Sequence, residues 1–122
     1  MINLVANTAV ILVAVLHIYF LYLEMFQWTK PLGLKIFRND AEFANKSAVL
    51  AANQGLYNGF LAAGLIWSAM ASGNEALHLK IFFLGCVIVA GLYGGYSANK
   101  KIFFIQALPA LIALALVLNM YF

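Results

Sequence analysis

Apolar residues dominate the chain in four long blocks separated by short polar interruptions. The blocks run over roughly residues 3–27, 47–71, 78–98 and 101–121. Each is close to the ~20 residues a helix needs to cross a bilayer. Only the linker over residues 28–46 has substance. Pro31 and Gly33 are expected to break any helix at its start. The pattern predicts an all-α integral membrane four-helix bundle with antiparallel up-down topology. Residues 1–122 then form a single four-span transmembrane domain.

The second block differs from the others. Residues 47–73 carry no charge, yet Asn53, Gln54, Tyr57 and Asn58 fall within six positions. On a helix, at ~100° per residue, these four fill one side, and Gly55, Gly59 and Ala62 fill the adjacent side. Hydrocarbon cannot hydrogen-bond a side-chain amide, so a polar face in a lipid-embedded helix should meet protein or a wet cavity. The expectation is a helix that lines a polar pocket. GLYNG at residues 55–59 and GLYGG at 91–95 look like a repeat. Both fall in the same half of the bilayer, which excludes an inverted repeat. They are better read as small-residue faces that let helices approach closely. Such faces permit packing within the chain and a homodimer as well.

Composition narrows the class. The 122 residues are 66% hydrophobic and 9% charged, too apolar for an ordinary soluble domain. The first 23 residues have no charge, hence no basic region of a cleaved signal peptide, and the block is expected to stay as a span. Lone Cys86 cannot form an internal disulfide. The formal charge of +3 does not point to nucleic acid, because the basic residues flank spans. Lys30, Lys35, Arg38 and Lys46 lie in the first linker and Lys100 and Lys101 in the third, leaving Lys80 alone on the other side. The positive-inside rule puts linkers one and three in the cytoplasm and both termini on the non-cytoplasmic side. The expected location is the plasma (inner) membrane, crossed several times. Trp28 and Tyr96 then mark the inner interface, Trp67 and Tyr121 the outer one. The sequon Asn45-Lys46-Ser47 would face the cytoplasm and carries no weight.

Depth groups the polar residues. With each block's midpoint at the bilayer centre, His17 lies ~3 Å inward and Glu24 ~13 Å. Tyr57 and Asn58 lie within ~3 Å of centre, Asn53 and Gln54 ~8–9 Å inward, and Tyr93 and Gln106 ~7 Å inward. All four blocks thus contribute to the cytoplasmic half. His17 and Glu24 are seven apart and share a stripe of the first helix. Pro109, just beyond Gln106, frees the carbonyl of Ile105 and should kink the fourth helix. Each residue has a plainer reading too. Glu24 can reach headgroups or a linker lysine, and His17 and the amides can act as hydrogen-bonding glue between helices. His78 lies ~18 Å from His17 in depth, so the two cannot share a metal or haem. Neither a metal nor another cofactor is expected.

Two longer motifs carry a resemblance. LHIYF with LEMFQW, covering residues 16–28, resembles the first-helix signature of the small bacterial membrane proteins grouped as domain of unknown function 1304. LAANQGLYNGFLAAG, at residues 50–64, resembles its second-helix signature closely. VAGLYG and QALPA are similar to its third and fourth. The resemblance implies four spans in a bacterial membrane. It brings no mechanism, although members have carried an epimerase label.

Two functions from different classes fit these residues. The first is an intramembrane acid/base enzyme of isomerase or epimerase type. His17, Glu24 and Tyr57 would be catalytic, and Asn53, Gln54, Asn58, Tyr93 and Gln106 would hold a hydrophobic or amphiphilic small molecule. No serine or cysteine has a base beside it. The second is a small proton-coupled transporter or binder. One glutamate in the first of four spans resembles the small multidrug resistance transporters, where it couples protons to cationic substrates. Glu24 departs from that pattern by lying near the interface, and the uneven loop charge fixes one orientation. A third option is a lipid-binding or structural subunit of a larger complex.

Overall fold

Backbone amides in so apolar a chain have few partners but one another, and helices satisfy them locally. The computed structural model describes residues 2–122, with side chains from Leu4 onward. It is all-α, with no strand among the described residues. Helix α1 covers Ile2–Phe26, α2 Pro31–Phe37, α3 Ala41–Met70, α4 Gly73–Ser97 and α5 Lys100–Tyr121. Three helices are long and apolar enough to cross a membrane: Leu4–Phe26, Gly73–Ser97 and Lys100–Tyr121. At 30 residues α3 is the longest, yet it is not among them. Asn53, Gln54 and Asn58 lower its apolar content.

Local chemistry sets the boundaries. Asp40 caps α3, its Oδ1 accepting from the Phe43 amide at 2.7 Å. A Glu42–Lys46 pair at 3.0 Å, one turn apart, extends this helix well upstream of the apolar block. Asn99 caps α5, its side chain accepting from the Lys101 amide at 2.9 Å. The first linker departs from expectation, because Pro31 starts a helix where a break was foreseen. Proline at the first helical position lacks an N–H that would have had no partner anyway, and its fixed φ suits the turn. Gly33 is required there for a different reason: a Cβ would collide with the Gln27 carbonyl. Arg38, at φ 56°, ends α2 in the left-handed region.

The described chain divides into two compact units. One is Val15–Ala62; the other joins the residues up to Ala14 to Ala63–Phe122. In the Val15–Ala62 unit α3 packs on α1 through small residues. A Cβ on Gly55 would lie 2.7 Å from Met25 Cγ and 3.2 Å from Glu24 Cβ, and one on Gly59 would lie 2.8 Å from Leu21 Cδ1. Trp28 closes this unit. Its ring lies 4.7 Å from that of Phe37, and its Nε1 donates to Ser47 Oγ at 3.0 Å.

In the other unit α4 and α5 meet even more closely. A Cβ on Gly91 would stand 2.5 Å from the Ala107 amide nitrogen, one on Gly94 2.8 Å from Ile102 Cγ2, and one on Gly95 2.9 Å from Phe103 Cβ. Residues Phe103–Ala107 form a π-helical turn, and the Leu108 amide donates to the Phe103 carbonyl. Pro109 was expected to disturb this helix. A π turn just before it is one known way of absorbing a proline's missing donor and ring clash. Lys80 is 1% exposed, and its Nζ donates at 2.6 Å to the Ser68 carbonyl, one of the last four carbonyls of α3. A lysine expected at the outer surface thus satisfies a helix end internally. Large apolar side chains such as Val89 and Phe82, at 65% and 64% exposure, cover the outside.

Two glycines of α4 should respond oppositely to the same change. Gly91→Ala drives a methyl into α5 and should destabilise by about 1–3 kcal/mol. Gly85→Ala meets no atom within 4 Å. It should be neutral or stabilising by up to about 1 kcal/mol, through helix propensity. Unfolding of both variants in the same detergent checks the signs.

Candidate functional site

The heptad stripe of α1 carries His17 and Glu24 two turns apart. His17 is fully buried, and its ring packs edge-on to Phe20 at 5.1 Å. Glu24 is half-buried. From α3, Asn58 reaches it directly: Asn58 Nδ2 donates to Glu24 Oε1 at 2.5 Å. The small residues beside them make this contact short. Gly55 brings the α3 backbone against Glu24 and Met25, so an amide side chain three residues on spans the gap.

The structure divides the polar face of α3. Asn58 is buried and shares the packed stripe with Ala51, Gly55, Ala62 and Leu65, spaced four and three residues apart. Asn53, Gln54 and Tyr57 lie on the exposed side. Asn53 turns back on its own helix, its Nδ2 donating to the Val49 carbonyl at 2.9 Å. Tyr57, 57% exposed, stacks edge-on with Phe60. Tyr93 and Gln106 belong to the other unit. There Tyr93 is exposed, and Gln106 is half-buried within the π turn. Beside Pro109 a groove of about 280 Å³ is lined by Ala9, Leu12, Val13, Leu108, Pro109 and Ile112. Its lining is wholly apolar and includes none of the predicted residues. No group of three or more metal-binding side chains occurs among the described residues.

The sequence profile of a protein family of unknown function, DUF1304, matches residues 11–118. The chain belongs to this family. Every residue named above as a candidate lies within the matched DUF1304 segment. The chain is also 34% identical over 106 residues to the uncharacterized protein YpaA of Lactococcus lactis subsp. lactis (strain IL1403), covering 85% of this chain and 88% of that one. No solved structure gives a significant match.

Two buried polar residues of this DUF1304 chain, Ser68 and Lys80, escaped sequence reasoning. Lys80 was counted as a loop charge, although Leu77, Lys80, Leu84, Val87 and Gly91 follow one another at three- and four-residue steps. That spacing marks the packed stripe of α4, and it was available in the sequence. Asn58 could have been separated from Asn53 and Gln54 in the same way.

The Glu24–Asn58 contact predicts an asymmetry. Asn58→Leu strips a half-buried carboxyl of its donor and should destabilise by about 1–3 kcal/mol. Replacing both residues by leucine removes donor and acceptor together and should cost less than the sum of the single changes. A double-mutant cycle in detergent-solubilised protein measures this coupling.

Proposed function

We propose that this protein is an intramembrane acid/base enzyme of isomerase type, acting on a hydrophobic or amphiphilic small molecule. Glu24, held by Asn58, carries the reading. A carboxyl inside a helix of membrane-spanning composition is rare and marks function more often than packing. An amide donor fixes its orientation, and His17 supplies a second ionisable group on the same stripe ~10 Å away. Moving a proton between two positions of a substrate needs such a pair in a partly dry site and no cofactor. Asn53, Gln54 and Tyr57 are exposed polar residues of α3 within about a turn and a half of Asn58. In hydrocarbon such residues need a hydrogen-bonding partner, and a substrate headgroup is one. Tyr57 is the third catalytic group in this reading.

The reading includes α3 as a fourth span. Its 30 residues give a length of ~45 Å, more than a bilayer core requires. Four spans in an up-down bundle put both termini outside the cytoplasm of a plasma-membrane protein, in keeping with the lysines of linkers one and three. A proton-coupled transporter remains the second reading. The same Glu24–Asn58 contact favours it, because a carboxyl that gains and loses a proton also serves exchange.

Isotope incorporation tests the enzyme. The protein in nanodiscs, given a membrane-lipid and metabolite extract in D₂O, should place solvent deuterium in at least one small molecule. Glu24→Gln and His17→Gln should abolish the mass shift while the fold is retained. Labelling by Glu24→Gln equal to wild type would overturn the assignment. Proton uptake dependent on an imposed gradient, with no label, favours the transporter.

Topology is tested separately. Alkaline phosphatase fused after Phe122 and a second fusion in the loop at Asn99 should be active and inactive respectively. Activity at Asn99 would exclude the proposed orientation.

A further inference from the structure

The α4–α5 elbow carries a groove that the acid/base reading does not use. It measures about 280 Å³ and is lined by Leu92, Gly95, Tyr96, Lys100, Phe103 and Phe104. All six belong to one unit. Its floor is aromatic and aliphatic, and Lys100 is its one charged residue. Two structural features create it. Gly95 puts no side chain on the α4 side and lets α5 approach, a Cβ there standing 2.9 Å from Phe103 Cβ, and the π turn contributes Phe103 and Phe104 from α5. π turns recur at functional sites because they break helical regularity to place side chains.

Neither Lys100 nor Lys101 makes an ion pair among the described residues. No acidic residue occurs anywhere after Glu75. Lys100 and Lys101 are both exposed at the start of α5, and the positive end of that helix adds to their field. Tyr96, 90% exposed, presents an amphipathic ring beside them. Aromatic rings and lysines at a span's end occupy the headgroup level of a bilayer. A cation above an apolar floor is complementary to an anion joined to a hydrocarbon chain.

We infer that the α4–α5 groove binds an anionic phospholipid, with Lys100 on the headgroup phosphate and Leu92, Phe103 and Phe104 along the acyl chain. The inference shares only the membrane location with the proposed function and is independent of Glu24. Free phosphate lacks the hydrocarbon that fills the floor, and a zwitterionic lipid offsets its phosphate with its own cation. The site therefore discriminates by headgroup charge and needs the chain for affinity.

Native mass spectrometry of the full chain, titrated in detergent with phosphatidylglycerol or phosphatidylcholine of equal chain length, tests this. Phosphatidylglycerol should bind about five- to tenfold more tightly. Lys100→Gln should reduce that preference to about onefold. Lys101→Gln, outside the groove lining, should leave most of it. Leu92→Trp, which fills the groove from an exposed position, should weaken both lipids. Inorganic phosphate at millimolar concentration should not displace the lipid. Equal binding of the two lipids, an unchanged preference in Lys100→Gln, equal loss in both lysine variants, or displacement by phosphate would each overturn the inference.

Discussion

Close approach of helix backbones is the constraint from which the other features follow. Two apolar helices in lipid gain little by excluding hydrocarbon, so their association rests on dispersion and on the few polar contacts that proximity allows. Dispersion adds about 0.1–0.2 kcal/mol per atom pair and decays within an ångström of the optimum. Only residues without side-chain bulk bring enough atoms into that range. Gly55 and Gly59 do this between α3 and α1, and Gly91, Gly94 and Gly95 do it between α4 and α5. At all five positions a Cβ would fall less than 3 Å from a side-chain atom of the neighbouring helix, and at Gly91 it would also crowd backbone. The seams are therefore specified by shape rather than by hydrophobicity.

Polar contacts then appear where the seams are tight. Asn58 follows Gly55 by three residues and meets Glu24, whose Cβ Gly55 already faces. Lys80 lies on the packed stripe of α4 and reaches the final turn of α3. The two contacts have different chemical character. The lysine meets a backbone carbonyl that needs a donor, so its role is explained by helix termination alone. The glutamate meets an amide side chain that had no need of it. Glutamate and amide could be replaced together by apolar residues at low cost, so a stability argument does not account for their joint presence. That difference makes Glu24, and not Lys80, the residue to which chemistry is assigned.

Much of this was legible in the chain, for identifiable reasons. The small-residue faces were visible because glycine spacing of four is a local signal that needs no knowledge of the partner. The α-helical class followed from long apolar blocks, but the pairing of Glu24 with Asn58 did not follow from depth, which put the two ~10 Å apart. Legibility ended where partner and phase decide. Asn53 and Asn58 are the same residue type five positions apart, yet one is turned to its own backbone and the other is buried against a carboxyl. Helical phase against Gly55 separates them; composition does not. Pro31 was read as a breaker because proline breaks helix interiors, but at a first turn the same ring starts one. Pro109 was read as the site of a kink, and the distortion that the structure shows there is a π turn just before it, over Phe103–Ala107.

The divided face of α3 bears most directly on function. Among its polar residues, Asn58 is accounted for by Glu24 and Asn53 by the Val49 carbonyl. Gln54 and Tyr57 make no hydrogen bond among the described residues, and both are exposed. For a helix bathed in water this would be unremarked. In a chain that is 66% hydrophobic, a helix flanked in sequence by helices long and apolar enough to cross a membrane would carry these two groups at a cost of several kcal/mol if they faced acyl chains. A polar partner from outside the helix removes that cost. The exposed pair lies on the same two turns as the residue that orients Glu24. Under the proposed function, a molecule that satisfies Gln54 and Tyr57 is brought close to the carboxyl by the same helix.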